Sequence, residues 1–141
     1  MNVLLHRVAN SRVTGRAARV TAGIRIVVGV AFVFFGVVKF LITEFEVAEF
    51  VRFGFPESAL VVQAVGLVEV VAGVLLVVGL GTRLAAFALA VVMAGAVLTA
   101  GLTVGGPFHL GLAPALLVAN LWLLVAGSGS AALDRRLSAA V

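Results

Sequence analysis

The run LVVQAVGLVEVVAGVLLVVGL, Leu60–Leu80, says more than any other stretch about what kind of molecule this is. At about 1.5 Å of rise per residue it is long enough to cross the roughly 30 Å hydrocarbon core of a bilayer as a helix. Glu69 lies near its middle. An ionisable group at that depth costs about 2.5–3.5 kcal/mol on insertion scales, so it is expected to face a partner, a cavity or a ligand and not lipid. The run therefore predicts a polytopic membrane protein with a polar interior.

Composition agrees. Of 141 residues, 63% are hydrophobic and 11% charged, with a mean hydropathy of +1.28. A soluble fold of this size has too little interior to hide that much Val, Leu, Ala and Phe. The net charge of +4 does not point to nucleic acid, because the basic residues sit at the ends of apolar runs and not in a stripe on a polar domain. There is no cysteine, which excludes disulfides, thiolate metal sites and CxxC chemistry within the chain.

Working outward, three more apolar runs are read as spans. The four cover about 20–42, 58–80, 82–99 and 110–126, within a transmembrane domain over 20–127. Each is near the roughly 17–25 residues a membrane helix needs, and only helices satisfy the backbone of such segments in lipid. The fold class is all-α, a four-helix membrane bundle. Residues 1–19 read as a basic tail holding Arg7, Arg12, Arg16 and Arg19, and residues 128–141 as a second tail. Val3, Leu4, Leu5 and Val8 are candidates for the lipid interface. Between the first two spans, Phe45, Glu49 and Arg52 fall at helical spacing and predict a short amphipathic helix on the membrane surface, ended by Gly54 and Pro56. Gly79 or Gly81 is expected to end the second span, with Thr82 capping the third.

Lys and Arg counts set the topology. Eight basic residues fall on the side of the termini (Arg7, Arg12, Arg16, Arg19, Arg25, Arg83, Arg135 and Arg136), against Lys39 and Arg52 on the other, where four glutamates also lie. Both termini are therefore expected in the cytoplasm and the protein in the inner (plasma) membrane.

The residues with chemical potential fall on helical faces. Arg25, Gly29, Phe32, Gly36 and Lys39 share one face of the first span, and Gln63, Gly66, Glu69 and Gly73 one face of the second. Glycine-notched faces approach closely in membranes, so these two are expected to pack together with Glu69 between them. Glu69 then has two readings. It is a proton acceptor or hydrogen-bond partner for a polar head group such as a quinone, or it forms a structural ion pair with Arg25 or Lys39. Lys39 has the alternative of snorkelling to the interface. Asn120 shares a face of the fourth span with His109, Ala113 and Leu116 and is expected to hydrogen-bond at mid-membrane. His109 reads as an interfacial imidazole or a pH-sensitive ligand. His6 and His109 fall on opposite expected sides, which argues against a bis-histidine haem, and no metal-ligand spacing or HExxH, GxSxG or Walker motif appears. Trp122 reads as a packing or interface residue, and Ala85, Ala86, Ala90 and Ala94 as a surface for another subunit or copy.

Three segments carry a family resemblance: RIVVGVAFVFFGVVKF at Arg25–Phe40, FGFP at Phe53–Pro56 and EVVAGVLLVVGLGTRLAA at Glu69–Ala86. With DRRL at Asp134–Leu137, they make the chain resemble the DoxX family of small bacterial membrane proteins over about Ile24–Leu137. The resemblance implies a four-helix membrane bundle. It also implies association with membrane oxidoreductases, including thiosulfate:quinone enzymes and actinobacterial complexes that handle thiol and oxidative stress. The expectation drawn from it is a non-catalytic or accessory membrane subunit of a redox complex. Lys39, Gln63, Glu69 and Asn120 are the candidates to line a quinone (menaquinone or ubiquinone) or lipid site, with membrane lipid, partner subunits or further copies of the chain as partners. No covalent cofactor and no metal is expected. The alternatives from other classes are a small proton-coupled transporter with Glu69 as its protonatable site, and a purely structural accessory subunit.

Overall fold

Four helices cross the length of the molecule, and two glycine pairs set how the first two meet. In the computed structural model, which describes residues 11–139, α1 spans Gly15–Leu41, α2 Thr43–Arg52 and α3 Ala59–Val78. Next come α4 over Thr82–Ala96, α5 over Ala113–Ala126 and a short α6 over Leu133–Ala139. Helix is the only regular structure among the described residues. Four segments are long and apolar enough to cross a membrane: Gly15–Leu41, Ala59–Val78, Thr82–Gly101 and Phe108–Ala126. Their outward surfaces carry exposed Val, Leu and Phe, such as Val27, Phe34, Leu60, Val91 and Val118, the side chains that lipid covers.

The expected glycine-faced packing of the first two spans is present. Gly29 meets Gly73, and Gly36 meets Gly66, so α1 and α3 run antiparallel with their backbones in near contact. A Cβ added at Gly36 would lie 2.6 Å from the Gly66 carbonyl oxygen, and one at Gly29 would lie 2.7 Å from that of Gly73. Small residues allow this approach, and the dispersion contacts it creates hold helices together where lipid is as apolar as leucine. Phe32, Leu76, Leu89 and Leu123, one from each spanning helix, are fully buried at the centre. Ala85, Ala86 and Ala90 are buried in this core too, and Ala94 is partly buried. The alanines of the third span therefore serve packing within the bundle and do not form an open face for another chain.

α3 stops at Gly79, whose φ of +71° is easy only for glycine, and α4 begins after Gly81. Thr82 does not cap α4 with its own hydroxyl, as the sequence suggested. The carboxylate of Asp134 does this from 52 residues away, accepting from Gly81 N at 2.8 Å and Thr82 N at 3.0 Å. Thr82 is the first residue of α4 and Gly81 its N-cap, so the threonine side chain is not at the capping position.

The third span does not stay α-helical throughout. At Val97–Gly101 it switches to a π-helical turn, and the fourth span opens with another, Phe108–Leu112. Nothing in the third span's residues signals the change, because π turns carry no periodicity of their own. α1 also extends five residues into the stretch read as the first tail. The second tail is no free tail: Ser128, Ala132 and Asp134 are buried against the bundle.

Candidate functional site: a roofed cavity in one half of the bundle

Lys39 and Glu69 form the polar floor of the site. Lys39 is on the last turn of α1 and Glu69 is one turn from Gly66, so the Gly36–Gly66 contact brings them level. The Lys39 Nζ lies 2.9 Å from Glu69 Oε2, with the side chains 12% and 2% exposed. Lys39 therefore turns inward and does not snorkel. The two groups form a buried ion pair at this distance, and Oε2 has no other partner among the described residues. A buried carboxylate oxygen in that state still has capacity for a donor.

Above this pair opens a cavity of about 430 Å³, within the range of sites that hold drug-sized molecules. Its walls come from Phe35 and Val38 of α1, Val65 of α3, and Val91, Met93 and Gly95 of α4, with Thr99, Phe108 and His109 from the π turns. Its roof is α2. Phe45, Glu46, Glu49 and Phe50 of that helix, and Phe53 and Phe55 after it, all line the space. Rings close this end: Phe53 of the roof meets His109 of the wall edge-on at 5.0 Å, and the wall residues Phe35 and Phe108 meet at 5.5 Å. The amphipathic helix expected between the first two spans exists, but it turns this aromatic face onto the cavity. The His109 ring is held through Nδ1, 3.2 Å from the Gly105 carbonyl oxygen.

The other candidates lie elsewhere. Gln63 is exposed, because it sits on the far edge of the α3 face whose centre is Gly66 and Glu69. Asn120 is fully buried but does not line the cavity. Its Nδ2 donates to the Leu116 carbonyl one turn back at 2.8 Å, and its Oδ1 has no partner among the described residues. Of the four residues expected to line one site, the structure brings together Lys39 and Glu69 only.

The expected ion pair between Arg25 and Glu69 does not form. Arg25, fully buried, sits near the opposite end of the bundle, fourteen residues and about 21 Å of helix from Lys39. Its guanidinium donates to five main-chain carbonyls. Nη1 reaches Leu76 and, at 2.9 Å, Val77. Nε reaches Ser128 at 3.0 Å, and Nη2 reaches Ala131 at 3.1 Å and Ser130 at 3.5 Å. The first two are carbonyls at the C-terminal end of α3, where the helix dipole is negative. The others belong to the chain leaving α5. A guanidinium carries five N–H donors in a planar fork, so it answers carbonyls from two segments at once. Trp122 adds a bond from Nε1 to Thr21 Oγ1 at 3.1 Å.

The roof, the first π turn, Phe108 and Gly95 were not picked out from the sequence as site residues. The phenylalanine spacing in Thr43–Glu57 was the available signal. It showed an amphipathic helix but not which surface the helix would meet.

Architecture and site define a class: an all-helical integral membrane protein of four spans, with a roofed cavity over a buried Lys–Glu pair. The chain belongs to the DoxX family, whose family model matches residues 20–102. That range includes α1, the roof and α3, with α4 and its π turn, so every wall of the cavity except Phe108 and His109. The chain is 35% identical to the uncharacterized membrane protein Rv3486 of Mycobacterium tuberculosis, over 82% of this chain and 79% of that protein. No solved structure matches.

Proposed function

We propose that this protein is an accessory membrane subunit of a redox complex and that its cavity holds the head group of an isoprenoid quinone. The observation that carries the reading is the Lys39–Glu69 pair at the floor of an otherwise aromatic and aliphatic space of about 430 Å³. A quinone suits these surroundings residue by residue. The ring stacks among Phe35, Phe50, Phe53 and Phe108. The Lys39 ammonium donates to a ring carbonyl oxygen. In the reduced quinol form a ring hydroxyl donates to Glu69 Oε2, and the carboxylate exchanges a proton with that hydroxyl. Bound quinone supplies two-electron redox chemistry, and the electrons pass to or from a partner protein, since this chain has no cysteine to carry them. The positive-inside count puts both termini in the cytoplasm and the roof on the outer side of the plasma membrane.

Binding of menaquinone to the protein in lipid nanodiscs tests the reading. Saturable, stoichiometric binding that Glu69→Gln weakens about tenfold, or about 1.4 kcal/mol, is expected. Absence of binding to the wild type refutes it. Proton-dependent uptake by vesicles carrying the protein alone favours the transporter. A partner complex that keeps full activity with Glu69→Gln, but fails without the protein, favours the purely structural subunit.

A further inference from the structure

We propose that the ligand of this cavity enters sideways from the bilayer, through a gap between α3 and α4, and that its tail stays in the gap while an uncharged head lies under α2. This rests on the quinone reading above and adds the route and the charge of the head.

The route follows from which walls are sealed. The α1–α3 seam is closed by backbone contact at Gly36 and Gly66. The end under the roof is crossed by the ring contacts of Phe53 with His109 and of Phe35 with Phe108. The seam between α3 and α4 is built differently. A short turn at Gly79–Gly81 joins the two helices at one end only. Glu69 lies ten residues before Gly79 and Val91 ten residues after Gly81, so both sit about 15 Å along their helices from the turn. Val65 and Gly95 lie one turn further on, each at about 21 Å from the turn. All four line the cavity.

Val91 is the informative one. It lines the cavity and is 57% exposed, so the cavity is open at this side chain. One turn on, a Cβ at Gly95 would meet nothing within 4 Å. Because Glu69 is central in α3, this opening faces the hydrocarbon and not the aqueous phase. A water-soluble ligand gains nothing from a door there, whereas a molecule dissolved in the bilayer meets it directly.

The charges select the head. Three carboxylates line the space, Glu46, Glu49 and Glu69. Lys39 answers Glu69, and Arg52 answers Glu49 at 2.6 Å. A phosphate head would bring more negative charge against these groups. A neutral head that accepts from Lys39 as the quinone and donates a ring hydroxyl to Glu69 as the quinol leaves the balance unchanged.

The test uses the full chain in nanodiscs and an isoprenoid quinone carrying a diazirine at the end of its tail. After irradiation, adducts are mapped by peptide mass spectrometry, with and without excess unlabelled quinone. Competable adducts on α3 and α4 around Val65 and Val91 are expected, reduced about tenfold or more by Val91→Trp, which places a large ring in the gap at an exposed position. Competable adducts on α2 or on residues 102–107 overturn the lateral route while leaving the quinone reading intact. So do adducts indifferent to Val91→Trp. No competable adduct anywhere, with no binding of unlabelled quinone, overturns both. A vesicle-borne phosphatidic acid that competes as well as the quinone overturns the neutral-head assignment.

Discussion

Lys39 and Glu69 stabilise each other in a place where neither is tolerable alone. Removing one partner of a buried pair leaves an uncompensated charge and typically costs about 3–5 kcal/mol, whereas replacing both with apolar residues is often neutral or better. Lys39→Met and Glu69→Met should each lower unfolding stability in mixed detergent micelles by an amount of this order. The double variant should recover most of it. If the double variant is as unstable as the sum of the singles, the pair is not what holds these residues in place. The sequence showed that Glu69 needed a partner, because a mid-span carboxylate is expensive in any fold. It did not show which cation. Arg25 and Lys39 lie on the same face of α1, and the choice was made by the carbonyls at the end of α3 and in the segment after α5, which together engage the whole fork of Arg25. Those carbonyls come from a helix end and a loop, so no side-chain pattern announced them.

Between elements, glycines do two different jobs, and substitution should separate them. Gly36→Ala forces a methyl to within 2.6 Å of the Gly66 carbonyl oxygen, and overpacking of this kind costs about 1–3 kcal/mol. Gly95→Ala meets open space and should gain up to about 1 kcal/mol from helix propensity alone. Thermal unfolding in one detergent compares the two directly. Asp134 joins the C-terminal segment to the start of α4, so Asp134→Ala should cost about 0.5–2 kcal/mol, the range for a lost N-terminal cap. An unchanged midpoint would show that Thr82 can take over. The spans and the glycine-faced pairing of the first two were legible because membrane length and helical periodicity are local properties of a chain. The Asp134 cap and the π turns were not. The first depends on residues 52 positions apart, and the second on a change of hydrogen-bond register that leaves composition untouched.

For the whole molecule, four antiparallel spans put both ends of the described chain, residues 11 and 139, at one end of the bundle and the cavity roof at the other. The basic residues cluster with the chain ends, so those ends should be cytoplasmic. The chain has no cysteine, which makes single-cysteine labelling clean. Thr103→Cys should react with an impermeant maleimide in intact cells, and Ala139→Cys only after permeabilisation. The reverse pattern would invert the topology. The amphipathic character of α2 was readable from its phenylalanines, but its role as a roof was not, because the surface it covers is assembled from α1, α3 and α4 only when the bundle forms. The central claim is that the space beneath that roof holds a lipophilic ligand. Native mass spectrometry of the protein released from its own membranes, wild type beside Gly95→Leu, tests it most directly, since the leucine extends into the cavity from a position with room for its Cβ. The account predicts one tightly held molecule of quinone class on the wild type, lost from a Gly95→Leu protein of equal or greater stability. A wild type that carries no such molecule, or a variant that carries it equally well, would contradict it.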